Sequence, residues 1–243
     1  MQSFAPTRAL RDRVTSIDVI DHEGGDVRVL PSTGAVLGLQ IHGRVRAREG
    51  LLSPVGVTGI QGSARRYDYV GPTVSVLVRF APQGASCLGA PASELVDRSV
   101  ALADLLSPSL AAEASERLCE AGDALARIEV VEQLLLGLAW DPDPLVERAL
   151  TLLGAGPGER VASVARALQI SERQLERRFL ARVGVTPRRY ASLRRFEQAV
   201  ALARTGRSLT ETALAAGYYD QSHFIRDVRR FAGATPGELL GRR

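Results

Sequence analysis

Residue types able to do covalent or metal chemistry are few in this sequence and far apart. Three histidines, His22, His42 and His223, and two cysteines, Cys87 and Cys119, lack the CxxC or close His spacing that gathers ligands around a zinc ion. The cysteines read as reduced thiols, and neither a metal nor a cofactor is expected. No GxSxG, HExxH, P-loop or GxGxxG pattern occurs, so the chain does not read as an enzyme. What recurs at meaningful spacing is arginine on amphipathic helices. Over 172–183, Leu175, Phe179 and Val183 fall four apart on one side, while Arg173 and Arg177 point roughly the other way, with Arg178 on one flank and Glu176 and Leu180 on the other. Over 221–231, Phe224, Val228 and Phe231 oppose Ser222, Arg226 and Arg229, flanked by His223 and Arg230. A helix of this kind fits the major groove of DNA, where Arg pairs with guanine O6 and N7 and a carboxylate accepts from cytosine N4.

Each arginine-bearing helix follows a short Ala-rich helix and a tight turn, an internal repeat of helix-turn-helix type. In the first copy Val164, Ala165 and Leu168 pack, Gln169-Ile170 turns, and Ser171-x-x-Gln174 fits a capping box. In the second, Ser208-x-x-Glu211 opens the leading helix, Ala213 and Ala216 allow a close crossing, Gly217 turns, and Asp220 caps the next helix. A continuous helix over 188–204, with Tyr190, Leu193, Phe196 and Val200 inward, joins them. At about 1.5 Å per residue it spans roughly 26 Å, which with its turns approaches the roughly 34 Å between successive major grooves on one face of DNA.

Charge follows the same division. Residues 1–140 carry 13 Arg and 16 acids, net −3, and residues 141–243 carry 18 Arg and 11 acids, net +7. The basic excess therefore lies in the C-terminal part, as suits one module that meets a polyanion joined to one that does not. All 31 basic residues are Arg, which reads as codon usage and carries no functional weight. At 45% hydrophobic and 24% charged, the chain has the composition of a globular protein. It has no apolar run long enough to span a bilayer, and its start lacks the apolar core of a secretory signal. A cytoplasmic location without a membrane partner is expected.

The fold class expected is α+β: a small N-terminal sheet or barrel followed by helices, then an all-α double helix-turn-helix domain joined by the long linker helix. Short β-like segments separated by Gly, Pro and Ser occupy about 26–81. In TVSVLVRF, Val74, Val76 and Val78 share one face and Thr73, Ser75, Leu77 and Arg79 the other. After Pro82 the pattern becomes helical over about 83–139, as 93–106, 109–122 and 123–139. The last of these carries an apolar stripe of Leu125, Ile128, Val131, Leu135 and Leu138 that suits a core and also suits a dimer seam. Trp140-Asp141-Pro142-Asp143-Pro144 interrupts any helix and places a boundary between a sensor or assembly domain, 1–140, and a DNA-binding domain, 141–243.

From Asp143 to Leu240 the sequence resembles the double helix-turn-helix domain of AraC/XylS transcription regulators, above all in GYYDQSHFIRDVRRFAGATPGELL, 217–240, and in VARALQISERQLERRFLARVGVTPRRY, 164–190. Gln169 stands where the family commonly has Gly, and Val228 where it commonly has an aromatic residue. The resemblance implies a transcription regulator acting on double-stranded promoter DNA, with Arg173, Glu176 and Arg177, and Gln221, Ser222, His223 and Arg226, approaching bases or phosphates. Residues 28–106 resemble the N-terminal domain that accompanies this module in many actinobacterial regulators, departing at Ser32-Thr33, where Asp-Gly is more usual. That likeness implies sensing or assembly and leaves a small-molecule effector and a homodimer open. Arg28, His42, Tyr67, Tyr69 and Arg79 lie in expected strands and either line a pocket or face solvent.

Overall fold

The computed structural model describes residues 1–154 and 160–241. Its first half is built on one antiparallel sheet of β1 (Gln2–Phe4), β2 (Val14–His22), β3 (Gly25–Val29), β4 (Val36–Ala47), β5 (Gly50–Leu51), β6 (Val55–Thr58), β7 (Arg65–Phe80) and β8 (Ser99–Ala101). The order is β1-β2-β7-β4-β6-β8, with β3 on the first part of β7 and β5 on the end of β4. β7 is the spine. Rich in Val, with two Tyr, residues that suit a pleated surface, it pairs with β2 from Thr73 to Phe80, with β3 from Arg65 to Tyr69, and with β4 along both stretches.

The two-residue period of the strands gives this sheet two different faces. On one, Ile17, Leu37, Leu39, Val57, Val76 and Val78 are buried against the helices that follow, in a core that also holds Leu118, Val131 and Leu135. On the other, Gly38, Gln40, Tyr67, Tyr69, Ser75, Leu77 and Arg79 surround a cavity of about 310 Å³. β4 keeps to this scheme through irregular registers between Gln40 and Arg44, where Gly43 adopts φ +78° and a Cβ would lie 2.4 Å from the Thr73 hydroxyl. Beyond the irregularity its odd positions face the cavity side, as Val45 does, and its even positions carry Arg44 and Arg46 outward, with Arg48 exposed in the turn that follows.

Two expectations change here. Strands begin well before residue 26, because β1 and β2 complete the sheet. The stretch 93–106 is not one helix: Ser99–Ala101 pairs antiparallel with Gly56–Thr58, and only Leu102–Leu105 (α1) is α-helical. The backbone groups of β6 need a partner on that side, and three residues of β8 supply it. α2 (Pro108–Glu120) is capped by Ser107 and α3 (Ala124–Gly137) by Asp123. Of the α3 stripe, Ile128, Val131 and Leu135 are buried and Leu138 packs against the same core, whereas Leu125 is exposed. The stripe is core.

Beyond this point the described residues are helical: α4 (Pro144–Gly154), α5 (Val161–Ala167), α6 (Glu172–Arg182), α7 (Pro187–Arg204), α8 (Leu209–Ala215), α9 (Gln221–Ala232) and α10 (Pro236–Leu240). Their shared core holds Val146, Leu175, Phe179, Tyr190, Phe196, Phe224 and Phe231. Ile60 belongs to it too, and Leu30 and Val96 pack on it, so the two halves meet through apolar contacts as well as polar ones. Among the described residues no helix is long and apolar enough to cross a membrane.

Candidate nucleic-acid interface

The first arginine-bearing helix, α6, is set up by its turn. Ser171 accepts from the Gln174 amide and the Gln174 side chain returns to the Ser171 amide, the capping box expected from the spacing. Leu175, Phe179 and Val183 are all buried, which turns Arg173, Glu176 and Arg177 to solvent. None of these three forms an ion pair among the described residues. Their neighbours do: Arg178 meets Asp143 at 2.6 Å and Arg182 meets Asp141 at 3.4 Å. Asp143 also accepts from the Leu145 and Val146 amides as the cap of α4, while its own amide donates to Gln83. Burial opposes its ionisation, yet the Arg178 hydrogen bond and the two amides outweigh burial and hold its carboxyl below the ordinary value. The Asp-Pro-Asp-Pro segment thus fastens α6 as well as interrupting a helix.

The second arginine-bearing helix, α9, is capped by Asp220, whose carboxylate accepts from the His223 amide at 2.7 Å. Phe224, Val228 and Phe231 are buried, and Ser222, Arg226 and Arg229 are exposed on the opposite side. Gln221 and His223 are half-buried. Gln221 accepts from the Thr210 hydroxyl at 2.8 Å, and the His223 ring meets the edge of Tyr218 with centroids 5.0 Å apart. Both therefore lie at the mouth of the helix, already oriented by neighbours. Arg230 is 3.9 Å from Asp227. The sequence reading overlooked Tyr219, 88% exposed in the turn just before α9. Its signal was a turn of three residues, Gly217, Tyr218 and Tyr219, where the first copy has two.

α7 fixes one arginine-bearing helix relative to the other. Thr186 caps it, Pro187 occupies its first turn, and Tyr190, Leu193, Phe196 and Val200 are buried as expected. Phe179 of α6 meets Tyr190 edge-on at 5.9 Å, and Phe231 of α9 meets Phe196 at 5.0 Å. Both arginine-bearing helices are thus packed on one rigid rod.

In the front half, Tyr67, Tyr69 and Arg79 line the cavity, whereas Arg28 and His42 do not. Burial raises both tyrosines, keeping them protonated hydrogen-bond donors. Arg79 is held by Asp18 at 2.7 Å. Burial likewise pushes the Cys87 thiol up to about 11, an unreactive state. Among the described residues no cluster of His, Cys, Asp or Glu could hold a metal.

The loops that rim the cavity also grip the helical half. Glu197 of α7 accepts from the Thr33 amide and hydroxyl, both at 3.0 Å. Arg28 donates to the Ala232 carbonyl at the end of α9, and the Ala64 amide donates to Phe231 at 2.6 Å. Asp97 accepts from the Gly62 amide and pairs with Arg189 of α7. These contacts join residues widely separated in sequence.

Residues 164–242 match the family model of a helix-turn-helix domain, of the AraC type. No curated protein matches the chain. Among solved structures, the chain is similar to ToxT from Vibrio cholerae, at 14% identity over 93% of this chain and 97% of that one, TM-score 0.50. ToxT bound to (E)-4-(8-methylnaphthalen-1-yl)but-3-enoic acid gives the same score and identity, covering 98% of that chain. An AraC-type DNA-binding domain-containing regulator from Chromobacterium violaceum is 28% identical over 41% of this chain and 91% of its own, TM-score 0.38. The ToxT likeness shows the fold: a β-rich part followed by a helical one.

Proposed function

We infer that this chain, whose residues 164–242 form an AraC-type helix-turn-helix domain, is a sequence-specific transcription regulator that inserts α6 and α9 into successive major grooves of double-stranded DNA. The observation that carries the reading is the pair of opposed stripes. In both copies three large apolar side chains are buried and the arginine side is left to solvent, on helices locked to one rod. Arg173, Glu176 and Arg177 would read one element, and Ser222 and Arg226, with Gln221 and His223 at the helix mouth, the other. The division is 1–140 and 141–243, and the protein works in the cytoplasm as a binding module rather than an enzyme. Selection of duplexes from a random pool by the full chain tests this. Enrichment of two elements about one helical turn apart is expected, and a pool without enrichment would overturn it.

The cavity is the site of a small effector. Its volume, about 310 Å³, is that of a small-ligand pocket, with apolar walls and a few polar groups. ToxT has been solved with an aromatic butenoic acid bound, and a compound with an apolar body and one polar end fits the mixture of Leu77, Val29, Tyr67 and Arg79 here. Thermal shift against such acids is the measurement. A hit that disappears on Leu77→Arg supports the site, and one that survives the substitution places binding elsewhere.

A further inference from the structure

The net charge of −3 over residues 1–140 conceals a strongly basic surface. The core face of the sheet is covered by α1 to α3 only along part of its length. Past the irregular register at Gln40–Arg44, the same side of the sheet is largely open to solvent and carries Arg44 and Arg46 on β4, Arg66 and Asp68 on β7, and Asp26 and Arg28 on β3, with Arg48 exposed in the turn after β4. The opposite side there holds Val27, Tyr67, Tyr69 and Val45 around the cavity. Cross-strand register sets Arg28 opposite Arg66, and Asp26 and Arg46 both opposite Asp68. Arg46 is 3.8 Å from Asp68 and partly answered by it. Arg48 and Arg66 share an open basin with Arg46, Arg65, Ala64, Asp26 and Asp68; both are exposed, and neither forms an ion pair among the described residues.

This basin adjoins the second reading helix. Ala64, at its lip, donates its amide to Phe231, and Arg28 donates to Ala232 in the last turn of α9. Hydrogen bonds from the Thr235 amide and hydroxyl chiefly lower the Glu238 carboxyl, and the charges of Arg28 and Arg229 add to them, so one arginine of the sheet and one of α9 lie near the same carboxylate. Like charges set across neighbouring strands repel unless something answers them, and Arg229 lies on the exposed side of α9 read above as facing DNA.

We propose that Arg66 of β7 and Arg48 of the turn after β4 contact DNA backbone phosphates beyond the element read by α9, so that the N-terminal domain is part of the DNA-binding surface. This rests on the DNA-binding reading above. Arg28 is the positioning residue, anchoring the row to α9. Phosphate contacts fix register and add affinity without reading sequence, and each one lost removes about 0.9 from the slope of log K against log salt.

The test is the full chain on its selected duplex over a range of salt, comparing Arg48→Ala/Arg66→Ala with Arg8→Ala/Arg11→Ala. The second pair removes the same charge from two other exposed arginines of the front half. The expected result is a slope shallower by about 1.8 for the first pair only, with the selected sequence unchanged. An unchanged slope, or an equal change in both pairs, would overturn the contact, the latter by showing an effect of overall charge. Either result leaves the DNA-binding reading intact, since the parent still selects its site. A parent that selects no duplex would overturn both.

Discussion

The two helix-turn-helix copies share a plan and differ in what holds them. In the first, the leading helix ends with Gln169 at φ +57°, its amide bonded to Arg166 and that of Ile170 to Ala165. In the second, Gly217 at φ +78° stands in the same place, with the matching bonds from Gly217 to Leu214 and from Tyr218 to Ala213. The second copy thus makes the left-handed turn with the residue suited to it, and the first makes it with a side chain that costs energy there. Anchorage differs as well. α6 is tied along its flank to Asp143 and Asp141, and its far end abuts Ala92. α9 meets the front half at its last turn, through Arg28 and Ala64. The front half therefore touches the first copy through Ala92, beside Gly184, and the second through the cavity loops at the end of α9, so a change in those loops bears on α9 first.

The largest effect should come from the contact with the first copy. Gly184, at φ +92°, leaves no room for a Cβ, which would lie 2.6 Å from the Ala92 carbonyl oxygen. Gly184→Ala combines backbone strain with overpacking and should cost about 3 kcal/mol in chemical unfolding. A midpoint within error of the parent would show that α6 and the 92–96 loop do not meet as described. Next, Arg177→Ala and Arg226→Ala should each cost about 2 kcal/mol on the selected site. Each should relax base preference in its own element only. Loss of preference in both elements from one substitution would mean that the two copies do not read independently.

The helical half was far more legible than the sheet. Phe224, Val228 and Phe231 announce a buried stripe within one helix because their period is local, and the caps at Ser171, Ser208 and Asp220 mark helix starts by local chemistry. The sheet hides its pattern because both faces hold apolar side chains. In β2, Ile17 and Val19 enter the core while Ile20 faces the cavity, and a register shift between Val14 and Ser16 breaks the alternation. β8 is three residues long and exists only because β6 pairs with it. The candidate site splits the same way. Exposure of Arg173, Arg177 and Arg226 follows from helix period. Sequestration of Arg178 by Asp143, and the hold of Thr33 on Glu197, depend on contacts that no local pattern encodes.

Asp143 gives a smaller effect with a pH signature. Asp143→Ala removes a helix cap and the partner of Arg178, for about 1 to 2 kcal/mol. Asp143→Asn keeps the cap and should cost less than half of that. The folded carboxyl is held below its ordinary 3.8, so its contribution is present above that value and is lost as pH falls through the lowered one. The gap between parent and Asn variant should therefore close at acid pH. Glu197 has the opposite sign. Burial raises it despite the Thr33 bonds and Arg194, so its contribution is complete below its ordinary 4.5 and is lost as pH rises through the raised value. Protonation relieves the buried charge but weakens Glu197 as an acceptor for Thr33, so acidification should favour the fold while loosening this contact, measurable as faster amide exchange at Thr33 after correction for the intrinsic rate.

The smallest expected effect bears most directly on the difference between the copies. Gln169→Gly relieves a left-handed side chain worth about 1 to 2 kcal/mol and gives back about 0.5 to 1 kcal/mol through the freer unfolded chain. A net gain of about 0.5 to 1 kcal/mol is expected in the urea midpoint. Gly217→Ala should lose a comparable amount, since it puts into the second copy the strain that the first already carries. If Gln169→Gly gains nothing, the Gln169 side chain must offset its own strain, and the departure of the first turn from glycine would be stabilising in place. DNA affinity separates the two cases further. Relief of strain alone leaves the selected sequence and its affinity unchanged, because Ser171 still caps α6 and Leu175 and Phe179 still fix its rotation.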